Sequence, residues 1–133
     1  MSKGTYCLVM RLDNDSDIKI GSRRAVRFPR GYYCYVGSAM SNLEKRINRH
    51  MSHKKRFHWH IDWFLEYANI VDVKKIESDK RLECDLSLDI AGLSHRVIMK
   101  GLGSSDCSCE THLHFFTKNP SKQLTTLVKK WKD

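Results

Sequence analysis

The sequence lacks any apolar run close to the roughly 20 residues that a membrane-spanning helix needs. Its first twelve residues, MSKGTYCLVMRL, also lack the hydrophobic stretch and small-residue cleavage site of a signal peptide. Five cysteines, an odd number without regular spacing, do not form the framework of a disulfide-rich secreted domain. We therefore expect a protein of the reducing cytoplasm, with free thiols and no membrane partner.

Internal repeats, low-complexity tracts and linker-like segments are missing as well, which predicts a single domain over residues 1–133. That length is enough for one hydrophobic core and too short for two. Hydrophobic residues make up 41% of the chain and aromatic residues 10%, a composition typical of folded rather than disordered proteins.

Acidic residues are almost absent between Arg23 and Arg56, a stretch called the basic segment below. Ten lysines and arginines lie there beside a single acid, Glu44, and this imbalance equals the net charge of +9 of the whole chain. A cluster of one sign attracts a polyanion, and nucleic acid is the first candidate. The alternative is a solvated basic surface without a partner.

Hydrophobic periodicity and turn residues predict the order of the secondary structure. Strands are expected at 4–12, in a hairpin through Gly21 at 18–28, at 32–37 with Tyr33 and Tyr35 on one face, and around 70–76. Helices are expected after Ser41, at 58–68, at 81–92 with Gly92 as the stop, and from Asn119 onward. These patterns predict an α/β (α+β) domain in which helices flank a small, mostly antiparallel sheet.

The first predicted helix has the clearest pattern. Ser41 and Glu44 have the spacing of a capping box. The expected core stripe consists of Leu43, Ile47 and Met51. Arg46 and His50, four residues apart, form a polar line on an adjoining face. Three tryptophans lie on apolar helical stripes and are expected in the core: Trp59, Trp63 and Trp131.

Four short motifs follow one another along the first two thirds of the chain. They are GTY at 4–6, YVG at 35–37, LEKRINRH at 43–50 and LECDL at 82–86. In this order they resemble the GIY-YIG endonuclease family, which includes homing endonucleases, some restriction enzymes and the incision half of excision-repair nucleases. With KKRFHWHID at 54–62 and GSSDCSCETHLHF at 103–115, the chain is similar to a poorly characterised prokaryotic branch of that family, once catalogued as a domain of unknown function.

The resemblance implies a metal-dependent endonuclease that hydrolyses phosphodiester bonds, with DNA favoured over RNA as the partner and with a role in repair or recombination. By this resemblance Tyr6 and Tyr35 belong to the family's tyrosine pair and Arg46 is its catalytic arginine. His50 is the helix histidine, and Glu83 is the glutamate that binds Mg²⁺ or Mn²⁺.

These residue types also suit the chemistry by themselves. Hydrolysis needs an activated water and stabilisation of charge on the phosphoryl oxygens. Glu83 alone can hold a Mg²⁺ ion that keeps most of its waters, and Arg46 offers a planar fork to a phosphate. Tyr6 can orient or deprotonate the water if a cation lowers its pKa from about 10. Gly37 is expected to let the chain turn sharply beneath the substrate.

Further residues are expected at the edge of the cleft or in contact with substrate: Ser38, Arg49, His60, Asp62, Ser105 and Asp106. Two features depart from the family pattern. The 28 residues between Tyr6 and Tyr35 replace a short hairpin loop, and the asparagine that many members carry after the metal-binding glutamate has no assigned counterpart.

Other interpretations remain open. Tyr6 and Tyr35 could be core tyrosines and Arg46 and Glu83 a structural ion pair, in a non-catalytic nucleic-acid-binding module. A zinc-stabilised interaction domain is the third interpretation, although its four closely spaced ligands would strain a tetrahedron. These ligands are Cys107, Cys109, His112 and His114. Because one small domain has little surface for a long recognition sequence, we expect structure-selective cutting of branched or damaged DNA, or targeting by a protein partner.

Overall fold

The computed structural model describes residues 2–22, 24–53, 55–94, 98–102, 109 and 111–131. The strands in these ranges are β1 (Gly4–Leu12), β2 (Ser16–Lys19), β3 (Ala25–Phe28), β4 (Gly31–Ala39), β5 (Asn69–Glu77) and β6 (Leu113–Phe116). Four of them form an antiparallel sheet in the order β5-β1-β4-β6, and β2 pairs with β3 in a separate hairpin. The predicted α+β class with an antiparallel sheet is confirmed.

Helices cover both faces of this sheet. They are α1 (Leu43–Met51), α2 (His60–Phe64), α3 (Glu83–Ala91) and α4 (Ser121–Trp131). Side chains of α1, α2 and the hairpin pack in one core cluster, and side chains of α3 and α4 pack in a second. Within the ranges that the structure describes, no helix combines the length and the apolar character required to cross a membrane.

The alternation of side chains along β1 explains how one strand serves both cores. Tyr6, Leu8 and Met10 point into the first cluster, whereas Cys7 and Val9 point into the second. Seven consecutive residues of the strand are therefore buried. Pairing with β4 sets Tyr6 opposite Gly37 and Leu8 opposite Tyr35, so that both tyrosines face α1.

Two details of α1 differ from the expectation. The N-cap is Asn42 rather than Ser41, because its side-chain oxygen accepts a hydrogen bond from the Lys45 backbone N–H. Met51 was expected in the core stripe, but its side chain is 54% exposed. It is the last residue of the helix, and the chain turns away at Ser52.

The helix predicted at 58–68 covers only His60–Phe64. The carboxylate of Asp62 accepts backbone hydrogen bonds from His58 and Trp59, which keeps the preceding chain extended and starts the helix later. Residues 65–67 form turns. Trp59 consequently lies before the helix, half-buried, rather than on its apolar stripe.

Candidate active site

A cleft of about 510 Å³ opens where β4, α1 and the start of α3 approach one another. Seven residues singled out from the sequence line it: Tyr6, Tyr35, Gly37, Ser38, Arg46, His60 and Glu83. The β1–β4 pairing and the entry into α1 bring the first three motifs together, and a hydrogen bond between Ser38 and Glu83 connects the fourth motif, on α3, to β4. The cleft therefore collects phenol, guanidinium, imidazole and carboxylate groups.

The phenol of Tyr6 forms the link between the cleft and the protein interior. Its ring is 2% exposed, and its hydroxyl lies 2.6 Å from His50 Nε2. Burial raises the pKa of Tyr6 far above its usual value, and the nearby Arg46 charge offsets part of this rise. Burial also raises the pKa of Tyr35, whose ring centroid lies 6.4 Å from that of Tyr6. Both phenols are therefore protonated at neutral pH.

His50 stands behind Tyr6 and is itself buried. The pKa of His50 is lowered to about 4, mainly by burial and further by the charges of Lys55 and Arg49, against the opposing charge of Asp62. The ring is therefore neutral at neutral pH and has a lone pair available for a proton. Its Nδ1 atom is buried without a hydrogen-bond partner in the described ranges.

Gly37 has a different role from the sharp turn expected. It lies within β4, and it is not among the glycines with positive φ. A Cβ atom there would lie 2.4 Å from the Tyr6 hydroxyl oxygen and 2.5 Å from Tyr6 Cζ. Glycine is required because the tyrosine ring packs directly on the backbone of the neighbouring strand.

Ser38 connects the cationic and anionic sides of the cleft. Its carbonyl accepts a hydrogen bond of 2.8 Å from Arg46 Nη1, and its hydroxyl donates one of 2.7 Å to Glu83 Oε1. The other Glu83 oxygen lies 3.1 Å from His112 Nδ1. Burial raises the pKa of Glu83, but the contacts with His112 and Ser38 outweigh it and hold the pKa below its usual range.

The donor set of the cleft is compatible with a magnesium or manganese ion. Glu83 is the sole carboxylate among the described residues that line the cleft, and its lowered pKa keeps it ionised at neutral pH. Mg²⁺ binds oxygen ligands and is commonly held by one or two carboxylates, with water in the remaining positions. The residues present therefore fit such an ion through one carboxylate.

Arg49 and Asp62 lie outside this cleft. Asp62 is fully buried, and both of its oxygens lie 3.0 Å from the guanidinium nitrogens of Arg49. The two expected substrate contacts thus form an ion pair that joins α1 to α2. Burial raises the pKa of Asp62, but the Arg49 guanidinium and two backbone N–H groups lower it more strongly.

Trp59 and Arg81 also line the cleft, and neither was predicted to lie there. Arg46 Cζ and Arg49 Cζ each lie 4.3 Å from the Trp59 ring centroid, so that this ring holds both guanidinium groups. A tryptophan next to the basic segment was a usable signal for a stacking surface. Arg81 lies two residues before Glu83. A cation so close to the expected metal ligand was a second signal in the sequence.

The residues considered as an alternative zinc site do not all come together among the described residues. Ser105, Asp106 and Cys107 lie outside the described residues. His114 Nε2 lies 2.7 Å from Ser87 Oγ, in the buried contact between β6 and α3. Cys109 and His112 instead meet Cys84 at the beginning of α3.

Comparison with curated proteins and with solved structures gave no match. A family model, described as "Domain of unknown function DUF123", matches residues 5–132, nearly the whole chain. The chain therefore belongs to this family, Domain of unknown function DUF123.

Proposed function

We propose that this protein is a metal-dependent endonuclease of the GIY-YIG type that hydrolyses phosphodiester bonds in DNA. The observation that supports the proposal best is the content of one cleft. A phenol hydrogen-bonded to a neutral imidazole, a guanidinium and an ionised carboxylate line it or lie directly behind it. These groups match the needs of phosphodiester hydrolysis: a proton acceptor, charge stabilisation and a metal ligand.

Tyr6 and His50 can together take a proton from water without a free phenolate. The attacking water passes one proton to the Tyr6 oxygen while the Tyr6 hydroxyl proton moves to His50 Nε2, 2.6 Å away. The resulting hydroxide attacks phosphorus, the P–O bond to the leaving oxygen breaks, and that oxygen takes a proton from solvent. The raised pKa of Tyr6 is compatible with this route because the phenol never carries a full negative charge.

Arg46 and Glu83 take complementary roles. The guanidinium of Arg46, held by the Ser38 carbonyl and the Trp59 ring, faces the cleft and binds phosphoryl oxygens. Glu83, fixed by Ser38 and His112, would hold Mg²⁺ or Mn²⁺. When bound, such an ion withdraws charge from the phosphoryl group and the leaving oxygen.

We further propose branched or damaged DNA as the substrate class, in a repair or recombination role in the cytoplasm, with a protein partner for targeting. The cleft is lined by the guanidinium groups of Arg46 and Arg81, which suit backbone phosphates, and phosphate contacts carry no sequence information. Cys7 and Cys34 are buried thiols outside any disulfide bond, which suits a reducing compartment.

The test is a cleavage assay with Mg²⁺ or Mn²⁺ on linear, flap, fork and four-way-junction DNA. We expect E83Q, R46A and Y6F each to reduce cleavage at least about 100-fold, the usual size of a lost acid–base or electrostatic contribution. E83Q should still bind DNA, which separates catalysis from binding. Asp85 provides a matched control: it is an exposed carboxylate in the same first turn of α3, and D85N should cleave normally.

The contrary outcome has a defined meaning. If the wild-type protein binds DNA with a steep salt dependence and leaves every substrate intact, the chain is a nucleic-acid-binding module. The 2% exposure of Tyr6 is the observation that favours this second function, because a buried phenol has little access to water.

A further inference from the structure

Three side chains that commonly bind metal ions meet beside Glu83. The sulfur atoms of Cys84 and Cys109 and a ring nitrogen of His112 all lie within 4.8 Å of one another. Cys84 is the second residue of α3, and His112 directly precedes β6. His112 is fully buried, and both thiols are partly buried. The fold thus brings together soft ligands that are up to 28 residues apart in the chain.

The orientation of the His112 ring suits metal binding. Its Nδ1 atom lies 3.1 Å from Glu83 Oε2 and 3.2 Å from the Val36 carbonyl oxygen, so Nδ1 carries the hydrogen and donates it. The Nε2 atom is 4.0 Å from Cys84 Sγ and, in this tautomer, bears a lone pair directed at the thiol. Metal-bound histidines typically use one nitrogen for the metal and donate from the other to a carboxylate or a carbonyl.

We propose that Cys84, Cys109 and His112 bind a thiophilic divalent metal ion, with zinc as the expected occupant. Tetrahedral zinc bonded to sulfur and nitrogen keeps neighbouring ligand atoms about 3.5–3.8 Å apart. The 4.0 Å between Cys84 Sγ and His112 Nε2 is close to this value, and rotation of the thiols closes the rest. Two thiolates select zinc over magnesium, because hard Mg²⁺ requires oxygen ligands.

The charges support the same occupant. Each thiol releases a proton to solvent as it binds, so two thiolates, a neutral imidazole and Zn²⁺ form a neutral cluster. A neutral cluster is compatible with the burial of His112, whereas two thiolate charges without a metal ion beside it would not be.

Metal binding would also orient the contact between His112 and Glu83. The importance of this contact rests on the proposed nuclease function. His112 joins the two sites, since its Nδ1–H group contacts Glu83 and its Nε2 atom faces the thiols. Metal binding at Nε2 fixes the tautomer that donates to Glu83. His112 is therefore a positioning residue for the carboxylate in the cleft.

The proposal is tested by adding Co²⁺, a spectroscopic substitute for Zn²⁺, to the full chain kept reduced with a non-thiol reductant. We expect the intense near-ultraviolet absorption of thiolate-to-cobalt charge transfer to saturate at one ion per chain, and zinc to displace this cobalt. C84S and C109S should weaken binding by more than about tenfold, because loss of an outer-shell partner alone costs 10–100-fold. C7A, which removes a buried cysteine outside the cluster, should bind as wild type.

The wild-type spectrum keeps the test decisive even if a variant fails to fold. A reduced wild-type chain without the thiolate band overturns the proposal, and so does a band that persists unchanged in C84S and C109S. E83Q separates this proposal from the nuclease: at saturating cobalt it should keep the thiolate band while losing cleavage. Cobalt binding without nuclease activity would support the metal site and contradict the proposed nuclease function.

Discussion

The hydroxyl end of Tyr6 packs against Gly37 of β4 and His50 of α1. Gly37 lies against the hydroxyl end of the ring, and His50 lies within hydrogen-bond distance of the same hydroxyl. The ring therefore reaches the cleft only because β4 has no side chain at that register. The absence of a side chain at Gly37 therefore allows the Tyr6 hydroxyl to reach the His50 imidazole.

Replacing Gly37 with alanine should displace Tyr6. The new Cβ would lie 2.4 Å from the Tyr6 hydroxyl oxygen, and the buried ring can only move as a whole. We expect the free energy of unfolding to fall by about 1–3 kcal/mol, as for other overpacked cores. Urea denaturation measures the stability, and the cleavage assay should show a loss similar to that of Y6F.

Gly92 provides the matched control for this substitution. It caps α3 with φ −65° and ψ −20°, and its nearest neighbour to a new Cβ would be 3.4 Å away. G92A should be neutral or stabilising by up to about 1 kcal/mol, since only the entropy of the unfolded chain changes. Equal stability of G37A and G92A would contradict the close approach of Tyr6 to β4.

At the scale of elements, the carboxylate of Asp62 determines how α1 and α2 meet. It accepts two hydrogen bonds from Arg49 of α1 and two from the backbone N–H groups that precede α2. The same contacts place Trp59 beside the cleft, where it holds Arg46. Asp62 therefore contributes to the site from a buried position behind it.

Removing this carboxylate should cost far more than removing a surface one. D62A leaves Arg49 and two backbone N–H groups without their acceptor, and we expect a loss of about 3–5 kcal/mol in the free energy of unfolding. D17A breaks the exposed Asp17–Arg27 pair, in which both side chains are more than 60% exposed, and should cost at most about 1 kcal/mol. Urea denaturation of both variants at neutral pH makes the comparison.

Stability at low pH gives a second measurement of the same contact. The pKa of Asp62 is lowered on folding, so its contribution is fully present above the unfolded-state pKa and is lost as the pH falls through the folded-state value. The difference between wild type and D62A should therefore shrink in acid, below about pH 4. A constant difference down to pH 2 would contradict a role for the ionised carboxylate.

The elements themselves were predictable where the apolar residues formed a clear pattern. The strand at 4–12 was predicted from its continuous β-branched and aromatic apolar run, and the stripe of Leu43 and Ile47 from its four-residue spacing. The α2 boundary was read wrongly, since Asp62 determines it by bonding backwards to the chain before the helix. Such a bond leaves no periodic signal in the sequence.

The candidate site was predictable to a different extent. Tyr6, Arg46 and Glu83 came from ordered motifs, and the structure brings them to one cleft. The cluster of Cys84, Cys109 and His112 was not predictable, because local spacing suggested ligands within residues 107–114. Cys84 belongs to α3, and only the packing of α3 beside the residues before β6 brings it to the other two ligands.

At the scale of the whole molecule, the fold partly neutralises the basic segment. Asp17 of β2 pairs with Arg27 on β3, and Asp62 of α2 pairs with Arg49 on α1. Acids outside the basic segment thus pair with two of its arginines. Arg46 and Arg81 differ, because both line the cleft.

The dependence of DNA binding on salt should distinguish these two groups of arginines. Each phosphate neutralised by a protein cation adds close to one unit to the slope of log K against log salt. In the non-cleaving E83Q background we expect R46A and R81A each to reduce the slope by about one. R27A should change it much less, since Arg27 lies 3.3 Å from Asp17. Titration of labelled fork DNA at several salt concentrations measures the slopes.

Equal slopes for R27A and R46A would mean that the net charge of +9, rather than the cleft, drives binding. A smaller slope for R46A and R81A alone would place the phosphate backbone in the cleft beside Glu83, where the proposed chemistry needs it.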